Sequence, residues 1–315
     1  LLHIVSAYFV PINQVTTHLK VFTLSLKSLL SQIKLINSTD NIAAYKTIVT
    51  NSYEWLESEL GRGDVTGLVL GRSTIVDALL KHIWQLMDLH NEHHLALIAV
   101  GGYGRGQLQP HSDIDLLVLS KKTLSKKQQD RISQFITLLW DIGLDVGQSV
   151  RTIKETFQLA KQDVTIATNL VEARLLMGCQ ATFEGLQDKL SSRAYWSSKD
   201  FFLAKYQEQK HRHKKFKDTS YNLEPNVKES PGCLRDIQSI GWVAKKHFNA
   251  MAGTELVEHG YFNQQEFDEL TECRESLWQI RFALHIVAGR SENRLLFDYQ
   301  TDVASRLGYG VEGKD

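Results

Sequence analysis

The chain has 315 residues with 36 Lys plus Arg and 36 Asp plus Glu, so its formal net charge at pH 7 is zero. Its hydrophobic content of 43% and charged content of 23% are ordinary for a globular protein, which excludes disordered, collagen-like and disulfide-stapled chains. A generally basic nucleic-acid binder is disfavoured, because such proteins carry excess positive charge to meet phosphates.

Cysteine usage and hydropathy favour a cytoplasmic protein with no membrane partner. Cys179, Cys233 and Cys273 are far apart and odd in number, so neither a disulfide framework nor a thiolate metal cluster is indicated. No apolar run reaches the roughly 18 residues of a membrane span. The apolar start at residues 1–12 lacks an initiator Met and a basic region, so we do not interpret it as a signal peptide and expect a fragment.

The first half of the chain passes from helices into a small sheet. Residues 1–72 are predicted to be helical, and a further helix is expected to begin at Ser73 as its cap. Three short apolar runs then predict strands, and an amphipathic pattern between the last two predicts a helix over 125–141. The predicted strands cover residues 95–100, 113–120 and 143–151.

After residue 153 the pattern is almost wholly helical. Predicted helices follow at 164–178, 199–217, 234–250 and 264–290, with a Pro/Gly-containing loop at 222–233. The fold class is therefore α+β, a small mixed sheet within a mainly helical chain. The length favours about two domains. We divide the chain into an N-terminal region, a core and a helical domain, at 1–72, 73–155 and 156–315.

A glycine-rich turn after the first predicted strand favours an anion site. Gly101 and Gly102 end the strand and open a short helix, where backbone N–H groups can point into a concavity suited to a triphosphate. Arg105 follows within reach of phosphates, with an exposed helix arginine as the equal alternative. Ser112 is a further candidate to hydrogen-bond a phosphate.

Carboxylates follow this turn with the spacing of a metal site. Asp113 and Asp115 are two residues apart in a predicted strand, so they share a face and would bind Mg²⁺ beside a phosphate. A two-metal nucleotidyl transfer needs a third carboxylate. We assign it to Asp145, in the third predicted strand, with Asp141 as the weaker alternative. Each motif alone is commonly only a turn or a solvated edge; their ordered combination favours the site.

Other polar residues are interpreted as structural. Arg151 is expected at a strand end on the surface, with a position facing the nucleotide as the less favoured alternative. Arg235 and Asp236 are expected to form an ion pair that fixes the loop after Pro231, in preference to contacting the nucleotide. The HNEHH segment at 90–94 and the basic run at 210–217 are predicted to be solvated, the latter rather than steering an anion. Four tryptophans on apolar helical faces are predicted to be core: Trp84, Trp140, Trp242 and Trp278.

The motifs resemble a known family. Gly101-Gly102 with the Asp pair resembles the nucleotidyltransferase superfamily that includes DNA polymerase β. The longer string GGYGRGQLQPHSDIDLLVL, with WDIGLDVGQSVRT, is similar to the bacterial uridylyltransferases that modify the PII nitrogen-signalling protein. Blocks at 220–248 and 281–300 agree, although Ser230 and Cys233 stand where the family commonly has Gly. The resemblance runs from about Ser73 to about Tyr309.

The resemblance implies a reaction in nitrogen-status signalling. UTP would give UMP to a tyrosine hydroxyl of PII and release diphosphate, with Mg²⁺ held by Asp113, Asp115 and Asp145. In the family, a phosphohydrolase domain with a His-Asp motif and two glutamine-sensing ACT domains follow; we expect them to lie outside this sequence, which has no His-Asp pair. Three alternatives stay open: a glutamine-synthetase adenylyltransferase, a tRNA-end nucleotidyltransferase, or a non-catalytic nucleotide-binding signalling module.

Overall fold

The described residues before the sheet are mainly helical. The computed structural model describes residues 23–61, 64–217, 219, 222–248 and 254–309, so the apolar start at 1–12 lies outside the described residues. Helices α1, α2 and α3 confirm the helical expectation for the described part of 1–72, and a 3₁₀ turn at Leu89–Asn91 follows them. Their bounds are Thr23–Leu35, Ile42–Glu59 and Val65–Leu86.

Helix α3 begins earlier than the sequence suggested. Its N-cap is Asp64, whose carboxylate accepts hydrogen bonds from the backbone N–H groups of Thr66 and Gly67 at 2.9 and 3.2 Å. Ser73, the predicted cap, is buried within the helix. The predicted start was wrong because an acidic cap satisfies orphan N–H groups as well as serine does, and the glycines of the 61–72 stretch obscured the helical pattern.

A four-stranded mixed sheet follows, in the order β3-β2-β1-β4. Strand β1 is antiparallel to both β2 and β4, whereas β2 and β3 are parallel and are joined by the crossover helix α5. The three predicted strands, the short helix α4 after Gly101 and the helix α5 are confirmed. The elements are β1 Leu95–Ala99, α4 Gly101–Gly104, β2 Ile114–Ser120, α5 Lys126–Asp141, β3 Val146–Thr152 and β4 Arg174–Gly178.

Strand β4 corrects the helix predicted at 164–178. The helix α7 covers only Val164–Val171, and Arg174–Gly178 pairs with β1 in an antiparallel register that sets Ala96 opposite Gly178. A short apolar run such as Leu175–Met177 fits a helix and a strand equally well. The open edge of β1, which local sequence does not reveal, provides its hydrogen-bonding partner.

The remaining elements are helices, as predicted for the C-terminal half. Helices α9, α10 and α12 confirm the elements predicted at 199–217, 234–250 and 264–290, with ends that differ by a few residues. Among the described residues, no helix is both long and apolar enough to cross a membrane. The bounds are α6 Ile153–Gln162, α8 Gln180–Ser191, α9 Ser198–Lys215, α10 Leu234–Phe248, α11 Thr254–Glu258, α12 Gln264–Ala288 and α13 Phe297–Arg306.

The sheet is buried on both faces, which fixes the direction of each side chain. On one face Leu97 and Leu116 join a core formed with α1, α2, α3, α5 and α12. On the other face Ile98 and Leu117 join a core formed with helices α6 to α10. Because side chains alternate along a strand, the odd-numbered residues of β2 face the second group of helices.

Three of the four tryptophans are buried as predicted: Trp84, Trp242 and Trp278. Trp140 is not, because 51% of its surface is exposed. It lies in the last turn of α5, and its indole N–H donates to the Val146 carbonyl oxygen at 3.2 Å. The ring therefore covers the start of β3 rather than filling the core, so this prediction was wrong.

Candidate active site

Three carboxylate-bearing residues meet where β2 and β3 begin. Asp115 lies in β2, and Asp113 directly precedes the strand on the same face, as the two-residue spacing predicted. The parallel register sets Ile114 opposite Val146, and the Ile114 N–H donates to the Asp145 carbonyl oxygen at 2.8 Å. Asp145 therefore lies beside Asp113, directly before β3 and not within it.

The three side chains interact electrostatically. Burial and the negative charge of Asp113 raise the pKa of Asp115 to about 6; Lys228 opposes this rise, and Asp145 adds to it. Asp113 and Asp145 are exposed, whereas Asp115 is half-buried. At neutral pH the cluster therefore holds several negative charges that repel one another, an arrangement that a cation would stabilise.

Two glycines allow the backbone to come close to the Asp115 carboxylate. A Cβ on Gly147, its register partner in β3, would lie 2.8 Å from Asp115 Oδ1. A Cβ on Gly101, whose φ is +57°, would lie 3.0 Å from Oδ2 and 3.5 Å from Asn169 Oδ1. Both carboxylate oxygens are thus approached closely by backbone, which requires residues without side chains.

The donor set fits Mg²⁺. Within the described part of the chain, no group of three or more His, Cys, Asp or Glu side chains forms a metal centre by itself. Mg²⁺, however, is commonly held by one or two carboxylates together with substrate phosphates and water. The carboxylates are hard oxygen donors that repel one another, and glycines lie next to both oxygens of Asp115. This arrangement matches a Mg²⁺ site whose remaining ligands come from a nucleotide.

The Gly101-Gly102 turn is held in place by hydrogen bonds between α4, α3 and β4. The Tyr103 hydroxyl donates to Asp77 Oδ1 at 2.7 Å. Arg174 in β4 donates to Asp77 Oδ2 at 2.6 Å and to the Gly104 carbonyl oxygen at 3.2 Å. This network fixes the position of α4 and of the N–H groups at its start. Like the first N–H groups of any helix, these have no acceptor within the helix.

Arg105 is held by a buried acid. Its guanidinium pairs with Glu172, which also accepts a hydrogen bond from the Trp242 indole, and its Nε donates to Gln107 Oε1 at 2.9 Å. A Cβ on Gly102 would lie 3.6 Å from Arg105 Nη2. The side chain is therefore next to the glycine turn but already paired, and its role toward phosphates stays a prediction.

A cavity of about 300 Å³ opens beside Asp115. Arg151, which the sequence placed on the surface, is among its lining residues, as is Asn169 from α7. The size is at the lower end of small-molecule sites. A lining that mixes polar and apolar side chains suits a nucleoside, and its polar or glycine members include Asp115, Gly147, Ser149, Arg151, Thr156 and Asn169.

Two cations that the sequence reasoning missed approach the carboxylates. Lys228, in the loop before α10, is close enough for its charge to lower the pKa of Asp115. Arg281, in α12, donates from Nη2 to Ser112 Oγ at 3.2 Å. Both lie in segments that resemble the family. A lone Lys or Arg far along the chain gives no local sign of which site it will reach.

The predicted ion pair between Arg235 and Asp236 is wrong. Arg235 instead pairs with Glu229 at 3.0 Å, and Asp236 accepts from His213 at 2.9 Å and from the Gly232 N–H at 2.7 Å. Consecutive residues at a helix start point in different directions, so each finds its own partner. Both still fix the loop after Pro231, which is the structural role expected of them.

The two segments predicted to be solvated are mostly exposed. In the HNEHH segment at 90–94, Glu92 pairs with Arg131 of α5 at 2.9 Å. The basic run at 210–217 is exposed on one side, but Arg212 is buried and pairs with Asp236. The run is therefore partly a solvated face and partly an anchor for the loop before α10.

The α+β fold and the three neighbouring carboxylates agree with the core of a nucleotidyltransferase. Residues 81–171 match the family model described as a nucleotidyltransferase domain. Residues 200–315 match the model described as GlnD PII-uridylyltransferase. The resemblance indicated by the motif blocks is thereby confirmed in both the core and the helical part of the chain.

Curated relatives agree. The chain is 49% identical to a bifunctional uridylyltransferase/uridylyl-removing enzyme of Pseudoalteromonas translucida, over 89% of this chain and 32% of the relative. Proteins of the same name from Idiomarina loihiensis and Vibrio cholerae are 47% and 50% identical, over 86% and 79% of this chain and 31% and 28% of their own lengths. The chain thus spans about a third of the curated relatives it matches.

Proposed function

We propose that this chain is the uridylyl-transferring part of a cytoplasmic enzyme that moves UMP from UTP to a tyrosine hydroxyl of the PII protein. The observation that supports it best is the convergence of Asp113, Asp115 and Asp145 beside the glycine turn. The names of relatives that are about half identical to the chain supply the uridylyl group, and the family model that matches residues 200–315 supplies PII as the acceptor. The tyrosine hydroxyl follows from the family resemblance of the motifs.

In this proposal Asp113, Asp115 and Asp145 hold Mg²⁺. When bound, it would supply positive charge against the α-phosphate and the diphosphate leaving group. The anchored N–H groups of the Gly101-Gly102 turn would face the phosphates, and the cavity lined by Arg151 would take the nucleoside. The protein's main contribution is alignment of the nucleophile with the α-phosphorus.

The chemical step forms one bond and breaks one. The tyrosine oxygen of the acceptor bonds to the α-phosphorus of UTP, and the bond from that phosphorus to the oxygen of the diphosphate breaks. The phenolic proton passes to a carboxylate oxygen of Asp145, which is exposed to solvent, and then to water. The charge balances because the negative charge that the phenol oxygen gains on losing its proton leaves with the diphosphate.

The test is incubation of the protein with Mg²⁺, PII and each labelled nucleotide. We expect label to pass from UTP to PII, and Asp113→Asn or Asp115→Asn to lower the rate about a thousandfold. Asp145→Asn should lower it about a hundredfold, whereas Asp141→Asn, an exposed acid at the end of α5, should stay within twofold.

Three results would contradict the proposal. Transfer from ATP instead of UTP would indicate an adenylyltransferase. Nucleotide binding with no transfer to any partner would indicate a signalling module. A loss of rate in Asp141→Asn and none in Asp145→Asn would make Asp141, and not Asp145, the third carboxylate of the metal site.

A further inference from the structure

Two cations near the carboxylates lack an acidic partner. Arg281, only 9% exposed, donates from Nε to Asn293 Oδ1 at 2.7 Å and from Nη2 to Ser112 Oγ at 3.2 Å, and both acceptors are neutral. Lys228 is half-buried. Within the described residues, neither has a carboxylate oxygen within 4.0 Å, and Lys228 Nζ has no hydrogen-bond acceptor.

The other two arginines of this region are paired. Arg105 is bound to Glu172, and Arg235 to Glu229. Both still act on Arg281, because like charges lower the pKa of a cation. Burial, then Arg235 and Arg105, lower the pKa of Arg281 to about 10. Burial, then Arg281 and Arg235, lower the pKa of Lys228 to about 8.

The fold holds the two cations in place despite this repulsion. The Lys228 N–H donates to Asn226 Oδ1 at 3.0 Å, and the Lys228 carbonyl accepts from the Arg235 N–H at 2.8 Å. The Asn293 backbone carbonyl accepts from the Val227 N–H at 2.8 Å, while its side chain accepts from Arg281. One residue, Asn293, therefore ties the lysine loop to the arginine.

Buried charges are ordinarily paired, and an unpaired one is unfavourable. A buried arginine and a half-buried lysine without an ion-pair partner, held by a long helix and a hydrogen-bonded loop at the edge of a carboxylate cluster, indicate a site for an anion that arrives from outside. Glu229, which is paired with Arg235, and Asp113 both act electrostatically on the two cations. Neither cation lines the cavity at Asp115, so the cations and the cavity suit different parts of one ligand.

We propose that Lys228 and Arg281 form a polyphosphate clamp that binds the β- and γ-phosphates of the nucleotide and the departing diphosphate. This assignment rests on the proposed function for its ligand. Arginine suits such a site because its planar fork can donate to two phosphate oxygens, and lysine adds a compact charge. The clamp comes from α12 and the loop before α10, so the helical part of the chain completes the site begun by β2.

The test uses inorganic triphosphate with Mg²⁺, a probe that needs neither uracil nor PII. Calorimetry on the purified protein should show binding that weakens about tenfold or more in Lys228→Gln and in Arg281→Gln, because each loses charge-assisted bonds. Arg281→Lys should retain part of the affinity. Arg294→Gln, whose side chain is 62% exposed, is the matched control and should change affinity less than twofold.

Thermal unfolding separates a binding role from a structural one. Without ligand, Lys228→Gln should be at least as stable as the wild type, because it removes a repelled charge, but triphosphate should no longer raise its unfolding temperature. A variant that loses stability and keeps its triphosphate affinity would overturn the clamp. If Arg281→Gln does not fold, Lys228→Gln and Lys228→Met still decide the question.

The clamp and the proposed function fail differently. Wild-type protein that binds triphosphate through these residues but transfers nothing to PII would overturn the function and leave the clamp. Protein that transfers UMP, with variants that bind triphosphate as the wild type does, would overturn the clamp and leave the function.

Discussion

Replacing Gly147 by alanine would displace a carboxylate and leave the fold intact. The new Cβ would lie 2.8 Å from Asp115 Oδ1, whereas ordinary contacts begin near 3.4 Å. The oxygen must therefore retreat by about 0.6 Å. Because it is the end of a side chain, it can do so by rotation, and the backbone of β3 need not move.

The expected fall in kcat follows from how far the Asp115 oxygen is displaced. A shift of about 1 Å at a reacting centre can lower a rate about a hundredfold, so a shift of somewhat more than half that distance should lower kcat about tenfold. Gly147 does not have a positive φ. Alanine there should change the free energy of unfolding by less than about 1 kcal/mol.

The assay compares the initial rate of UMP transfer to PII with thermal unfolding of the same samples. Gly185→Ala in α8 is the matched control, because its Cβ would meet Ile153 Cδ1 at 3.5 Å, an ordinary contact. It should keep the full rate and gain up to about 1 kcal/mol in stability. A wild-type rate in Gly147→Ala would show that the position of the Asp115 carboxylate is not critical, and that the close approach of Gly147 does not matter for the reaction.

Two further predictions concern the supports of the site. Asp77→Asn should lower the free energy of unfolding by about 3 kcal/mol, because it leaves the partly buried guanidinium of Arg174 without its charge partner. Lys81→Ala, which removes an exposed i,i+4 partner of the same acid, should cost under about 0.5 kcal/mol; equal losses in denaturant titrations would contradict this. Burial raises the pKa of Asp236, but hydrogen bonds from Gln209, Gly232 and His213 and the charge of Arg212 outweigh it and hold the pKa below 3.8. Its stabilising contribution is therefore complete above that pH and is lost as the pH falls through the folded-state pKa, so the stability difference between wild type and Asp236→Asn should narrow on acidification below 3.8. A difference that stays constant down to the acid limit of the fold would refute it.

Local patterns predicted the elements that position the carboxylates. The alternation of a strand was enough to set Asp113 and Asp115 on one face, and the apolar runs at 95–100 and 113–120 became β1 and β2. The third strand was predicted to begin at residue 143 but begins at Val146, so Asp145 lies directly before β3 and not within it, because strand ends depend on pairing. The site role of these three residues remains a prediction for the variants above to test.

Elements that depend on distant partners were harder to predict. Arg174–Gly178 became a strand because β1 offered an open edge. Trp140 lies on the apolar side of α5 by spacing alone, yet the position of β3 leaves it half exposed. In both cases the sequence nearby admits two conformations or environments, and a contact elsewhere in the chain selects one.

The sequence by itself determined the α+β class, the glycine turn and the pair of aspartates, because each depends on residues within about twenty positions of one another. Only the tertiary structure brought Lys228 and Arg281 to the same place, since Arg281 meets Ser112 across 169 positions of the chain. The repulsion between these two cations cannot be recognised from any pattern in the sequence. It exists only once folding has placed the charges side by side.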